Sequence, residues 1–547
     1  MMSEEPSSAE SEAAGKYRRL SAALLLGLAI VFLFAFQSYF SSPIDDAFIS
    51  FRYLDNWLRG NGLVFNPGER VEGYSNFLWI AVLALPAALG VGPQLASVIL
   101  DVALALGCLF LLLCAMHFAT QRSALSTQHS RLWPVAAPLL FALSSGIIFW
   151  LGKGMEVIFY TFLQMAFAVA VLGVRDREIG RVRDGILVGV VSAAAALTRP
   201  EGVVAPALVL AALAVAERGR RRPYILAFAV LAAAVAGQFA FRLLYYGPLW
   251  PNTYYAKRLP LGIALAGGFD YLRKFVVGLS DQEAWFYASG WASHLPIWVV
   301  CAAAWAFAAK QWRRLWPVAL QMLALVAVAV YVGGDWMPAF RFFVPAIPLG
   351  CLLVAAGLSE MASESKLPSW RRILAPGLLA VLAVVEIIGL VTMIRSHEFG
   401  RWRNHIDNYA PAARWLASNA KPRSLVALSD IGIISYYNPD LRFIDVLGLT
   451  DPHVASLPGI HYLKTDVGYV LSREPDYVIA MLFAWPEHKK VLPKTNFDEA
   501  FLVHVVAAKD YEKVGRLAGW REGMRGERYV LFEIYKKAAE SPKKYVD

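Results

Sequence analysis

About eleven apolar runs punctuate this chain, most of them close to the ~20 residues that an α-helix needs to cross a bilayer. They lie at 20–40, 94–118, 134–151, 157–174, 185–199, 203–216, 224–245, 294–309, 315–332, 342–358 and 373–394. No soluble core absorbs that much apolar sequence. Of 547 residues, 58% are hydrophobic and 17% charged, and mean hydropathy is +0.48. An ordinary soluble domain has about 45–50% apolar and about 25% charged residues. A soluble enzyme, a disordered chain and a disulfide-stapled secreted scaffold are therefore excluded. What remains is a polytopic α-helical membrane protein. The four cysteines, Cys108, Cys114, Cys301 and Cys351, all sit inside apolar runs and read as small hydrophobes, with no zinc-type spacing.

Charge orders the runs. Residues 1–19 are acidic and serine-rich, then basic at Lys16, Arg18 and Arg19, and read as a disordered cytoplasmic N-terminus before a retained first span. Short basic connections follow at Arg122 and Arg131, at Arg175 to Arg183, at Arg218 to Arg222, at Lys310 to Arg314 and at Lys366 to Arg372. The positive-inside bias puts these in the cytoplasm, and the net charge of +10 fits an anionic lipid surface rather than nucleic acid. The intervening connections carry polar motifs and then face outward. Phe77 to Leu89 is apolar but only about 13 residues long, so it lies on the outer surface rather than spanning. Residues 20–395 thus form the transmembrane domain, with a first outer loop at about 41–93. Residues 396–547 have ordinary soluble composition and read as an extracytoplasmic α/β domain, with strands at Ser424 to Leu428, Leu441 to Val446, Tyr477 to Ala480 and Tyr529 to Tyr535.

The outward loops hold the chemistry. Asp45 and Asp46 directly follow the first span. Either can cap a helix to about Leu58 whose apolar face is Phe48, Phe51, Leu54 and Leu58. Two adjacent acids at a membrane interface are costly and push their pKa values apart, which suits a general base beside a group that stays charged. Glu72, Tyr74 and Asn76 alternate in polarity just before the interfacial helix. Arg52, Lys153, Arg199, Lys257, Arg258 and Arg341 are cations in outward loops, where orientation gives no reason for them, and a phosphate headgroup gives one. Arg199 beside Glu201 reads equally as an internal ion pair. Glu156, Glu201, Asn252, Tyr255, Asp335 and Trp336 supply carboxylates, an amide and aromatic rings of the kind that hold sugars; helix caps and an interfacial aromatic belt are the plainer readings. Asp45, Asp46 and Glu72 offer hard oxygen ligands to Mg²⁺, Mn²⁺ or Ca²⁺, without metal-specific spacing. Asp430, Asp445 and Asp451 read as turn and cap residues, or as part of a domain folding down over the site.

The motif series resembles the GT-C superfamily of glycosyltransferases. It consists of Asp45-Asp46 with Phe51-Arg52-Tyr53, Gly62 to Glu69, Val71 to Trp79, Gly154-Met155-Glu156, Leu197 to Gly202, Tyr245-Tyr246-Gly247 with Pro251 to Lys257, Gly333 to Pro338 with Arg341-Phe342, and Asp430-Ile431-Gly432 with Ile444-Asp445 and Gly448 to Pro452. Within that superfamily it is most similar to the mycobacterial terminal β-(1→2)-arabinofuranosyltransferases. The resemblance implies an inverting enzyme of a bacterial inner membrane with its active site at the outer face. It would take a sugar, arabinofuranose first, from a polyprenyl-phosphate donor to a cell-envelope glycan or glycolipid. It maps the base to Asp45, with Asp46 orienting the site or binding a cation. A lipid-linked glycan flippase and a glycan ligase are the alternatives.

Overall fold

A computed structural model describes Gly27 and residues 43–120, 133–176, 181–277, 312–363, 369–395, 405–485, 490–519 and 529–538. Among these, six helices are long and apolar enough to cross a bilayer: Pro93–Ala119, Val157–Asp176, Arg218–Tyr245, Trp312–Tyr331, Arg341–Ala362 and Leu374–Val391. This corrects the expectation of about eleven spans. The run at 134–151 breaks where Ser144 turns extended, leaving helices Ala136–Leu143 and Ser145–Trp150. The runs at 185–199 and 203–216 are separated by Pro200. Arg199 before it is driven extended (φ −148°, ψ 136°), ending helix Val182–Thr198 at 17 residues and starting a second short helical unit, Pro200–Ala216. The run at 20–40, Gly27 apart, and the run at 294–309 lie outside the described residues, as do Arg122, Arg131 and Lys366. Phe77–Ala88 is a separate 12-residue helix, as its length demanded.

The first loop is folded deep into the protein. Helix Asp45–Leu58 ends before Gly60 and Gly62, which take the positive φ that a side chain resists. Its apolar residues are not confined to one face: Phe48, Phe51, Tyr53 and Leu54 are all buried, as are Ile49 and Arg52. An amphipathic helix lying on a membrane surface is therefore not what this segment forms. Gly73 permits a close approach, because a Cβ there would meet Thr450 and the Tyr53 hydroxyl, and its own N–H donates to that hydroxyl at 2.8 Å.

Residues 405–538 build a mixed sheet of six strands: β1 (Leu425–Leu428), β2 (Arg442–Asp445), β3 (Tyr477–Trp485), β4 (Lys490–Pro493), β5 (Tyr511–Ala518) and β6 (Tyr529–Lys537). The order is β2-β1-β3-β6-β5, with β4 beside β3. β2, β1 and β3 run parallel; β6 is antiparallel to β3, and β5 is antiparallel to β6. The four expected strands are present, and β4 and β5 are additional. Ligands of open parallel sheets bind beyond the carboxyl ends of the strands. Here those ends lead into Ser429 to Gly432 and Val446 to Asp451, the loops that meet the first loop and helix Asn252–Lys257.

Candidate active site

Neither aspartate caps its helix. Ile44 occupies the cap position with no side-chain bond, and both acids lie in the first turn, where negative charge still favours the helix dipole. They then part. Asp45 is buried and turns to the C-terminal domain, its two carboxylate oxygens accepting from the backbone N–H of Gly432 (3.0 Å) and Ile433 (2.7 Å). Burial and the nearby Asp430 push its carboxyl up to about 8, against those two donors. Asp46 is only part-buried. It faces the charges of Lys257 and Arg341, with Asp430 and Asp335 also acting on it; burial raises its carboxyl and the two cations lower it.

The floor of the same cleft is a network of buried charge. Asp335, in a glycine turn, pairs with Arg341 at 2.6 Å. Ala339 and Phe340, just before Arg341, both hold positive φ, a strained backbone of the sort found at functional turns. Arg199 pairs with Glu201 at 2.5 Å and with Glu156 at 2.6 Å. Phe342 lies against both guanidinium groups, 4.8 Å from that of Arg199 and 5.3 Å from that of Arg341. Lys257, at the end of helix Asn252–Lys257, remains solvent-accessible. The surrounding protein lowers its ammonium, while Asp46 and Asp335 hold it up. Tyr462, from the C-terminal domain, lies edge-on to Trp336 at 6.1 Å and feels Asp46, Asp430, Asp335 and Arg341. Asp430 is bound by Lys494 and by the Tyr409 hydroxyl, and Lys494 holds its carboxyl below the usual range.

Several expected site residues have partners other than those expected. Arg52 is not a phosphate ligand: its guanidinium donates to the carbonyls of Phe65 (2.9 Å), Ser435, Asn438 (3.3 Å) and Leu441 (2.8 Å). Arg258 is exposed one residue beyond its helix. Glu72 pairs with Arg242 at 2.8 Å, Tyr74 meets the Tyr246 hydroxyl at 3.1 Å, and Asn76 donates to Glu156 at 2.8 Å, so the alternating trio reaches three different partners. Asn252 spends its amide on the carbonyls of Gly448 and Leu449. Tyr255 is part-buried, and its carbonyl accepts from Lys464. Glu156 does not cap the helix after it; its carboxylate joins Asn76 to Arg199. Asp445 and Asp451 serve turns, accepting from Leu447 and Thr450, and from Val454.

The proposed metal ligands do not fit a metal. Asp45 is taken by two N–H groups and Glu72 by Arg242, and no group of three His, Cys, Asp or Glu side chains suited to a cation occurs among the described residues. Sequence reading gave Asp430 only a general role and missed Tyr462, Lys494 and Tyr409. The Asp430-Ile431-Gly432 turn after a short strand was the one signal pointing there.

The comparisons agree with this architecture. Residues 398–533 match a domain of unknown function, DUF8728. A terminal β-(1→2)-arabinofuranosyltransferase of Mycobacterium tuberculosis is 30% identical over 236 residues, which is 42% of this chain and 37% of that protein. The chain thus spans little more than a third of the length of that curated relative. ArnT from Cupriavidus metallidurans, in a structure bound to undecaprenyl phosphate, superposes with a TM-score of 0.58 at 12% identity, covering 93% of this chain and 97% of that one. The oligosaccharyltransferase AglB from Archaeoglobus fulgidus, in complex with an inhibitory peptide and a dolichol-phosphate, gives 0.53 at 12% identity over 87% and 74%. The fold is the GT-C fold. Within it, the cleft lies where the first loop, the ends of the spanning helices and the C-terminal domain converge.

Proposed function

We propose that this chain is an integral-membrane inverting glycosyltransferase that moves a sugar from a polyprenyl-phosphate donor to an acceptor hydroxyl of a bacterial cell-envelope glycan or glycolipid. The observation that carries the reading is the meeting of one part-open carboxylate, Asp46, with the cations Lys257 and Arg341 beneath Tyr462. The acceptor oxygen forms a bond to the anomeric carbon as the bond from that carbon to the donor phosphate breaks. The hydroxyl proton passes to Asp46, and the electron pair leaves with the phosphate toward Lys257 and Arg341. A cation about 5 Å from the leaving oxygen, at an effective dielectric of about 20, contributes about 3 kcal/mol.

The resemblance maps the base to Asp45. Its paired N–H contacts favour a positioning role there, with Asp46 as the base. The bound undecaprenyl phosphate of ArnT supports the lipid-phosphate donor, and the arabinofuranosyltransferase relative supports arabinofuranose as the sugar. The cleft faces the extracytoplasmic side in this reading, with the C-terminal domain over it. The test is transfer by purified protein from synthetic polyprenyl-phosphate arabinofuranose. General-base loss in Asp46→Asn should lower kcat by about 10²–10⁴-fold. Near-normal transfer by stably folded Asp46→Asn overturns the base assignment. Absence of transfer by the wild type from any polyprenyl-phosphate sugar, with lipid translocation instead, favours the flippase.

A further inference from the structure

A second polar cavity lies at the far end of the transmembrane helices. Helix Val157–Asp176 begins beside Glu156 in the cleft and ends with Arg175 and Asp176, roughly 30 Å away for 20 residues. Span Arg218–Tyr245 carries Arg242 at the cleft end and Arg218 at the other. Helix Trp312–Tyr331 leads to Asp335 at one end and starts with Arg313 and Arg314 at the other. These far ends, with Phe118 and Ala216 of neighbouring helices, line a half-open cavity of about 670 Å³.

Its wall is strongly basic, with five arginines against Asp176 and Glu217. The wall is also built rather than loose. Arg175 pairs with Glu217 at 2.7 Å and donates to the carbonyls of Arg314 (2.5 Å) and Arg313 (2.7 Å). Arg314 donates to the Phe118 carbonyl at 2.7 Å and lies 3.5 Å from Asp176. Both carboxylates are thereby engaged. Among the described residues, Arg218 and Arg313 line the cavity without a side-chain hydrogen bond or ion pair. Beside the cavity, helix Val204–Ala216 presents Leu208 and Val215, 48% and 69% exposed, seven positions apart on one face, and Ala216 reaches the cavity wall.

We infer that this cavity binds the phosphate of an anionic phospholipid, with Arg218 and Arg313 gripping the headgroup and the acyl chains running along Leu208 and Val215. Orientation alone asks only for basic residues near the cytoplasmic surface. It does not ask for a concavity whose acids are neutralised by fixed arginines while two others stay unpaired beside an apolar track. The site stands apart from the cleft and from the proposed transfer reaction.

The experiment is native mass spectrometry of the full chain released from nanodiscs containing equal phosphatidylglycerol and phosphatidylcholine. Wild type should retain phosphatidylglycerol over phosphatidylcholine, and Arg218→Gln/Arg313→Gln should lose that preference by about tenfold. Arg221→Gln/Arg222→Gln removes the same charge from positions off the cavity wall and should keep it. Equal loss in both double variants would mean diffuse surface electrostatics and would overturn the site. Competition by glycerol phosphate at concentrations equal to those of the lipid would place the source in free phosphate and overturn the lipid assignment. Both double variants alter exposed arginines, so melting temperatures should match wild type.

Discussion

The carboxylate of Asp45 accepts the backbone N–H of Gly432 at 3.0 Å, tying together residues 387 positions apart. The contact tolerates no side chain at Gly432, because a Cβ there would lie 1.9 Å from the Asp45 carbonyl oxygen. Gly432→Ala must therefore push the first loop and the C-terminal domain apart. Overpacking of this kind costs about 1–3 kcal/mol. The expected result is a lower melting temperature and a kcat loss larger than the stability loss explains, because Asp46 is the next residue. Thermal unfolding beside transfer kinetics measures both; unchanged kcat in a destabilised protein would separate the domain contact from the cleft.

Arg52 makes the second tie. It reaches four carbonyls, three of them in the C-terminal domain. Its guanidinium also lies 4.9 Å from the rings of Phe65 and Phe443. Lysine offers three donors on a point charge and cannot reproduce that fork. Arg52→Lys should destabilise by about 2–3 kcal/mol, since hydrogen bonds to charged groups are each worth about 1.5–3 kcal/mol and some survive. If Arg52 instead held donor phosphate, Arg52→Lys would raise KM for the lipid donor at unchanged melting temperature.

Six of the spanning runs, the short helix Phe77–Ala88 and four strands were legible because the length of an apolar run is a local signal. The count of long spans was not, because Ser144 and the Arg199-Pro200 step interrupt apolar runs whose composition continues across them. Strand β5 carries Glu512, Lys513 and Arg516 and pairs on one side, so its pattern is that of a solvated edge. At the site, residue type was readable and partner was not. Arg52, Arg199, Lys257 and Arg341 are all cations at or between the ends of apolar runs, but only the fold separates Arg52, which grips carbonyls, from Arg199, which pairs with Glu156 and Glu201, and from Lys257 and Arg341, which act on Asp46. Glu72 and Arg242 lie 170 positions apart, and nothing in either neighbourhood announces the pair.

That pair predicts its own pH dependence. Burial pushes the Glu72 carboxyl up to about 7 even though Arg242 lowers it. Arg242→Met removes the lowering influence and raises Glu72 further. A carboxyl raised above its unfolded value of 4.5 contributes stability fully present below that value and lost as pH rises through the folded value. The variant should therefore be closest to wild type near pH 4.5 and fall behind as pH rises past 7, by about 3–5 kcal/mol if the carboxylate is forced to ionise unpaired. Urea unfolding across that range checks it, and Glu72→Gln/Arg242→Met should remove most of the pH dependence.

The last prediction joins the cleft's electrostatics to its rate. Asp46 works as a base only when ionised, and burial raises its carboxyl above the usual 3.8. The acid limb of kcat/KM should accordingly lie above the ordinary carboxylate range. Lys257 is the largest influence holding that carboxyl down. Lys257→Met should thus move the acid limb to higher pH, and also lower the plateau, since one cation facing the leaving phosphate is gone. Lys257→Arg keeps the charge and should leave the limb near its wild-type position. Asp335→Asn acts in the opposite sense, because Asp335 raises Asp46: the limb should move to lower pH. If Lys257→Met lowers the plateau while the limb stays fixed, Asp46 is not the titrating base. If the limb moves only in Asp45→Asn, the base is Asp45, and the contact with Gly432 must open before each turnover.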